Sequence, residues 1–283
     1  MNKPLTFLLS LTFLFLFSGS VYGDDLQEGL DAYKNKDYET ALKLFLPLAE
    51  QVDAKAQFTL GQMYRNGLGL PKDDKEAVKW YRLAAEQGNV KAQSNLGYMY
   101  VIGKGAPKDY KEAFKWFRLS AEQGGAGGQN NLGVMYEKGH EVTQDYKEAV
   151  KWYRLSAKQG DTQAKTNLGD MYQQGKGVPQ DYKEAFKWYR LSAEQGHTEA
   201  QYKLGAMYEN GKGVPQDYVS AHMWFNLSGS GGDKDAVRNR NNVEKKMTKQ
   251  QIEKAQEMAR KWKPKQEKSL FEKFKKIWDK VTK

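Results

Sequence analysis

Apolar and polar positions along most of this chain follow the period of an amphipathic helix, broken at regular intervals by glycine. Ala164, Leu168, Met171 and Tyr172 fall at i, i+4, i+7 and i+8, one face of an α-helix. Gly175-Lys176-Gly177-Val178-Pro179 then breaks the run. Glycine supplies a left-handed helix end, and proline cannot continue a helix. Asp181 predicts the start of a second helix, with Glu184 three residues on as a capping-box variant. Ala185, Trp188, Tyr189 and Ser192 form its apolar stripe, and Gly196 ends it. Gly169 and Ala185 are small where the two helices of one hairpin should cross closely, while Met171, Tyr172 and Trp188 supply bulk.

This two-helix pattern recurs every 36 residues. Leu-Gly-x-Met-Tyr starts at Leu60, Leu96, Leu132, Leu168 and Leu204. An Ala-x-x-Trp pair falls at Ala77/Trp80, Ala113/Trp116, Ala149/Trp152, Ala185/Trp188 and Ala221/Trp224. The array spans 24–232, with full units at about 54–88, 89–124, 125–160, 161–196 and 197–232. A degenerate unit at 25–53, with the short connector Lys34-Asn35-Lys36-Asp37, suits a terminal repeat with one free face. Residues 233–263 read as a helical cap, and Pro264 breaks the chain before a last segment, 264–283. Neither helix of a unit buries its stripe alone, so neighbouring units must stack.

The consensus A-x-x-x-L-G-x-M-Y, then a glycine-rich connector, D-x-x-x-A-x-x-W-x-x-x-A and a closing glycine, resembles the Sel1-like repeat, a relative of the tetratricopeptide repeat. The resemblance covers about residues 25–232. It implies an all-α fold, a right-handed superhelical solenoid of helical hairpins with a concave inner face. It also implies a scaffold or adaptor role in binding other proteins. The third unit departs from the pattern, with Glu141 and Thr143 in place of the second glycine and the proline, and Gly124-Gly125-Ala126-Gly127-Gly128 at its start. A hinge and simple drift of one repeat both remain open.

Composition narrows the function. Residues 24–232 hold 27 Lys/Arg and 27 Asp/Glu, whereas 233–283 hold 17 Lys/Arg and 8 Asp/Glu. The net charge of +10 therefore belongs to the C-terminal fifth and Lys3. A neutral body disfavours nucleic acid, whose phosphates need clustered cations. Residues 1–23 read as a signal peptide: Lys3, the apolar run from Leu5 to Phe17, and small residues before a cleavage site after Gly23. Export to the periplasm or beyond is expected.

The chain has no cysteine, so thiolate zinc sites and a cysteine nucleophile are excluded. His140, His197 and His222 lie in different units at spacings that assemble no metal set. Gly211-Lys212-Gly213 sits between two helices rather than after a strand, which fails the context of a phosphate loop. Most carboxylates fall at helix starts, where they offset the helix dipole. No enzyme activity, cofactor or metal is expected.

In arrays of this resemblance the first helices line the concave face. Asn95, Asn131 and Asn167 precede the Leu-Gly pair in the central units, with Thr59 and Lys203 at the ends. Gln57, Gln93, Gln129 and Gln201 recur two residues before these positions. An amide both donates and accepts, so such a ladder could grip an extended peptide, or instead bridge neighbouring repeats. In the last segment Phe271, Phe274, Ile277 and Trp278 share one helical face, and Lys273, Lys276 and Lys280 lie on the remainder. A basic amphipathic helix suits docking on the array, a partner groove, or an anionic membrane or cell-wall surface.

Overall fold

The computed structural model describes residues 24–265. Among them the regular elements are all helices. The first covers residues 24–34 (α1). It is followed by α2 (Tyr38–Glu50), α3 (Ala54–Asn66), α4 (Asp74–Glu86), α5 (Val90–Ile102), α6 (Tyr110–Glu122) and α7 (Ala126–Lys138). Then come α8 (Tyr146–Lys158), α9 (Thr162–Gln174), α10 (Tyr182–Ala193), α11 (Thr198–Asn210), α12 (Tyr218–Ser230), α13 (Lys234–Glu244) and α14 (Lys249–Lys261). The expected leader at 1–23 lies outside the described residues. The helices form two compact units that divide between Asn131 and Leu132, inside α7.

Each hairpin is closed by its own backbone. In the first full repeat Leu68 N–H donates to the Met63 carbonyl (3.0 Å) and Asp73 N–H to the Tyr64 carbonyl (2.9 Å). The Met-Tyr pair of the repeat signature thus supplies the acceptors that turn the chain. Asp73 then caps α4, its carboxylate accepting from Lys75 N–H at 2.8 Å and Glu76 N–H at 3.1 Å. Asp145 and Asp181 cap α8 and α10 in the same way. The glutamate half of the expected capping box goes elsewhere. Glu76 and Glu148 pair with Lys79 and Lys151 at 3.2 Å, and Glu184 pairs with Lys187. A lysine one turn on competes for the carboxylate, which still offsets the helix dipole. A reciprocal capping box does form at Thr248 and Gln251, at the start of α14.

The close crossing within each hairpin is set by the glycine of the Leu-Gly pair. A Cβ on Gly61 would stand 2.5 Å from the Tyr81 ring, and one on Gly205 would stand 2.7 Å from the Phe225 ring. The ring occupies the space the missing side chain leaves. A serine hydroxyl then ties the far end: Ser120 donates to the Val90 carbonyl at 2.8 Å and Ser192 to that of Thr162 at 2.8 Å.

Hairpins stack second helix onto first helix. In the N-terminal unit Ala41, Phe45, Leu48 and Ala49 of α2 share a buried cluster with Ala56, Leu60 and Met63 of α3. In the C-terminal unit Ala149, Tyr153 and Ala157 of α8 meet Ala164, Leu168 and Met171 of α9. The last repeat is closed by α13 and α14. Trp262 packs edge-on against Trp224 with ring centroids 6.2 Å apart. Lys265 N–H donates to the Glu194 carbonyl at 2.7 Å, and its ammonium pairs with the same residue's carboxylate at 3.0 Å.

The glycine-rich start of the third repeat is tightly packed. A Cβ on Gly127 would come within 2.9 Å of Ser94 Oγ, and ones on Gly125 and Gly128 would overlap Ser120. Glycine is needed there because α7 lies closer to α5 and α6 than a side chain permits.

Two expectations test these constraints. Gly205→Ala should lower stability by about 1–3 kcal/mol through overpacking against Phe225, read as a shift in the denaturant midpoint. Val52 occupies the position held by the closing glycine in later repeats, with φ of 72° and 61% exposure. Its turn is the same: Asp53 N–H reaches the Leu48 carbonyl, as Asn89 N–H reaches that of Ala84. A left-handed backbone costs a β-branched residue about 1–2 kcal/mol, so Val52→Gly should stabilise the chain, read as a higher Tm.

Candidate partner-binding surface

The glutamine ladder lies in the interior. Gln57, Gln93 and Gln201 are 3% exposed and Gln129 is 5% exposed. Gln57 Nε2 donates to the Ala49 carbonyl at the end of α2 (3.0 Å), and its Oε1 accepts from Nε2 of Gln87, the residue that caps the end of α4 (2.7 Å). Gln93 joins α4, α5 and α6 in the same way, through Ala85 (3.1 Å) and Gln123 (2.9 Å). Gln129 and Gln201 reach Ala121 and Ala193 at 3.4 and 3.3 Å. These four residues are thus corrected from ligand contacts to junctions between successive hairpins. A first helix is covered on two sides, by the preceding hairpin and by its own second helix, so a polar residue beside the core stripe is enclosed as well.

The position before the Leu-Gly pair is more open. Asn95, Asn131 and Asn167 are half-buried. Asn95 faces the buried Tyr81 phenol, Asn131 Oδ1 lies 3.4 Å from Asn130 Nδ2, and Asn167 Oδ1 accepts from Gln163 Nε2 at 3.1 Å. Lys203 pairs with Asp170 at 2.8 Å and with Glu199 at 3.5 Å. Burial opposes its charge, but Asp170 and Glu199 more than offset this and hold its pKa above the usual lysine value. Asp170 also accepts from the Tyr189 hydroxyl at 2.6 Å. Burial, reinforced by the Asp170 charge, pushes the Tyr189 phenol pKa up, so it stays a donor. Lys203 and Asn167 therefore sit in one ordered polar surface on α9 and α11.

Three first helices enclose a groove in the N-terminal unit. Leu30 and Tyr33 of α1, Phe58 of α3 and Val90 of α5 form its apolar walls, with Lys55 and Lys91 at its edge. Its volume is about 440 Å³. Thr59, Gln62 and Asn89 add polar groups. The Thr59 hydroxyl is spent on the Lys55 carbonyl at 2.8 Å, and Asn89 caps α5 through Ala92 N–H at 3.0 Å. Sequence reasoning pointed to Thr59 alone among these. The available signal was the second stripe of α3: Lys55, Phe58, Thr59 and Gln62 fall at i, i+3, i+4 and i+7, beside the core stripe of Ala56, Leu60 and Met63.

The histidines serve local structure. His197 caps α11, and burial lowers its pKa. Buried His222 meets Glu244 of α13 at 2.7 Å. Among the described residues no cluster of three or more His, Asp or Glu side chains is arranged to hold a metal, and no helix is long and apolar enough to cross a membrane. The expected tail contacts Phe271, Phe274, Ile277, Trp278, Lys273, Lys276 and Lys280 lie outside the described residues.

The repeated hairpins define an all-α solenoid of the type that scaffolds protein–protein contacts. Sel1 repeats match at residues 22–53, 54–89, 90–125, 126–161, 162–197 and 198–233, and the chain belongs to the Sel1 repeat family. A Sel1 repeat protein from Oxalobacter formigenes is 35% identical, covering 87% of this chain and 99% of its own, with a TM-score of 0.72. A putative Sel1 repeat protein from Klebsiella pneumoniae is 22% identical over 71% of this chain and 97% of its own, with a TM-score of 0.50. An immunity protein from Pseudomonas aeruginosa is 18% identical over 71% of this chain and 81% of its own, with a TM-score of 0.53. These last two share the fold. None of the curated proteins matches the chain.

The reassignment of the glutamines has a direct measure. Gln93→Leu removes the side-chain bonds to the Ala85 carbonyl and the Gln123 amide, which keep Gly88 N–H and the Leu119 carbonyl as partners, and should cost about 0.5–1.5 kcal/mol in chemical denaturation.

Proposed function

We propose that this protein is exported and works as a non-catalytic scaffold, holding a segment of another protein on the first-helix face of its hairpins. The groove over α1, α3 and α5 carries this reading, because it joins aromatic walls to a charged edge. Interfaces draw most of their energy from aromatic anchors in desolvated pockets, surrounded by a polar rim. The polar side chains of the same face are largely committed to caps and to bonds inside hairpins, which suits binding rather than proton transfer. The leader pattern at 1–23 supports export, with the mature chain starting at Asp24. The basic amphipathic pattern of 264–283 supports a second attachment, to an anionic membrane or cell-wall surface.

The test is photo-crosslinking in the native cells, with a benzophenone amino acid at position 58. It should capture one protein that is not captured from position 119 on α6. Tyr33→Ala should reduce capture about tenfold or more at a temperature where circular dichroism shows the variant still folded. Equal capture from both positions would overturn the reading. Capture that disappears in a chain ending at Lys265 would move recognition to the tail.

A further inference from the structure

We propose that the groove over α1, α3 and α5 takes an extended acidic peptide. One aliphatic or aromatic side chain sits between Tyr33 and Phe58, and two carboxylates three residues apart pair with Lys55 and Lys91. This rests on the scaffold reading and names the class of segment bound.

Charge is the first argument. Lys55 and Lys91 are the charged residues among the described lining, and no carboxylate joins them there. Both are exposed, and neither has an ion-pair partner among the described residues. Lysines one turn into the second helices α4 and α6 differ: Lys79 pairs with Glu76 at 3.2 Å and Lys115 with Glu112 at 3.7 Å. The helix caps reinforce the contrast. Asp53 caps α3, and its carboxylate is spent on Lys55 N–H (2.9 Å) and Ala56 N–H (2.8 Å). The cap of α5, which lines the groove, is the neutral Asn89, where α9 and α13 have Asp161 and Asp233. An anion in the groove therefore meets two unpaired cations and no lining carboxylate.

Spacing is the second argument. Lys55 and Lys91 hold the same position in consecutive repeats, 36 residues apart. Their separation thus follows the distance between packed first helices, roughly 8–10 Å. A chain in the extended polyproline II conformation has three residues per turn and rises about 3.1 Å per residue, so residues i and i+3 share a face, span about 9 Å and match that pitch. One of the two residues between such carboxylates turns toward the wall made by Tyr33 and Phe58. The Gln62 amide, at the groove's edge, offers both a donor and an acceptor to the peptide backbone.

Fluorescence anisotropy of labelled Ser-Glu-Leu-Ser-Glu-Ser with the mature protein tests this, beside twins carrying Gln for Glu or Ser for Leu. The acidic peptide should bind about fivefold tighter than its Gln twin at low salt, with the ratio falling as salt rises. Lys55→Ala/Lys91→Ala should bring the ratio to one, chiefly through weaker binding of the acidic peptide, while the unfolding midpoint holds. Lys55→Glu/Lys91→Glu should reverse the preference toward a Lys-containing twin. A ratio near one in the unaltered protein, a ratio that survives the double alanine change, or no binding of the acidic peptide would overturn the proposal. If crosslinking from position 58 persists in that case, the scaffold reading stands and only the acidic preference falls. If crosslinking is absent too, both fall.

Discussion

An aromatic ring lying on a bare α-carbon governs this structure. In hairpin after hairpin the glycine of the first helix leaves a gap that the Tyr or Phe ring of the second helix fills: Gly61 and Tyr81, Gly97 and Phe117, Gly133 and Tyr153, Gly169 and Tyr189, Gly205 and Phe225. The pairing brings the two axes close enough for the Ser120 and Ser192 hydroxyls to reach carbonyls at the start of the first helix. It also fixes which faces remain for the neighbouring hairpins. The choice between Tyr and Phe has a further effect. Tyr153 and Tyr189 carry hydroxyls that reach Glu137 and Asp170, so those carboxylates are ordered on the first-helix face, whereas a phenylalanine leaves that face without such an anchor.

The repeat was legible because its constraints are local. Glycine, proline and aspartate mark turns and caps through backbone chemistry, and the 3.6-residue stripe marks the core. The close crossing at Gly169 could be read from residue size alone. The glutamines were harder. Gln93 follows Ala92 by one residue and looks like a surface position on an amphipathic helix, but α5 is flanked by both α4 and α6. A single stripe describes a helix with one covered side, and these have two. The groove was out of reach for another reason. Tyr33 belongs to the degenerate first hairpin and has no counterpart at the repeat spacing, so periodicity gives it no weight. Only the packing of α1 beside α3 brings it to Phe58.

Charge is distributed by the same division of labour. On the second helices, acids at the first turn serve the helix dipole and then hold lysines at i+3, so these surfaces are nearly neutral. First-helix lysines beside the groove have no such neighbour. On the proposed function, recognition and solubility fall to different helices of one hairpin, and each could vary without disturbing the other.

The backbone bonds that close a hairpin run between residues of one 36-residue unit, from the Met63 and Tyr64 carbonyls to Leu68 and Asp73 for example. In the gene, this makes the repeat a self-contained cassette. Stretches such as Asp145-Tyr146-Lys147-Glu148-Ala149 and Asp181-Tyr182-Lys183-Glu184-Ala185 are identical in sequence, so unequal recombination between their coding segments would gain or lose one cassette in frame. The new junction would reuse contacts already present between central units. The flanking elements differ, since α1 belongs to the degenerate repeat and the α13–α14 pair lies beyond the last matched repeat. Length can therefore evolve from the middle, while the groove built on α1 stays where it is.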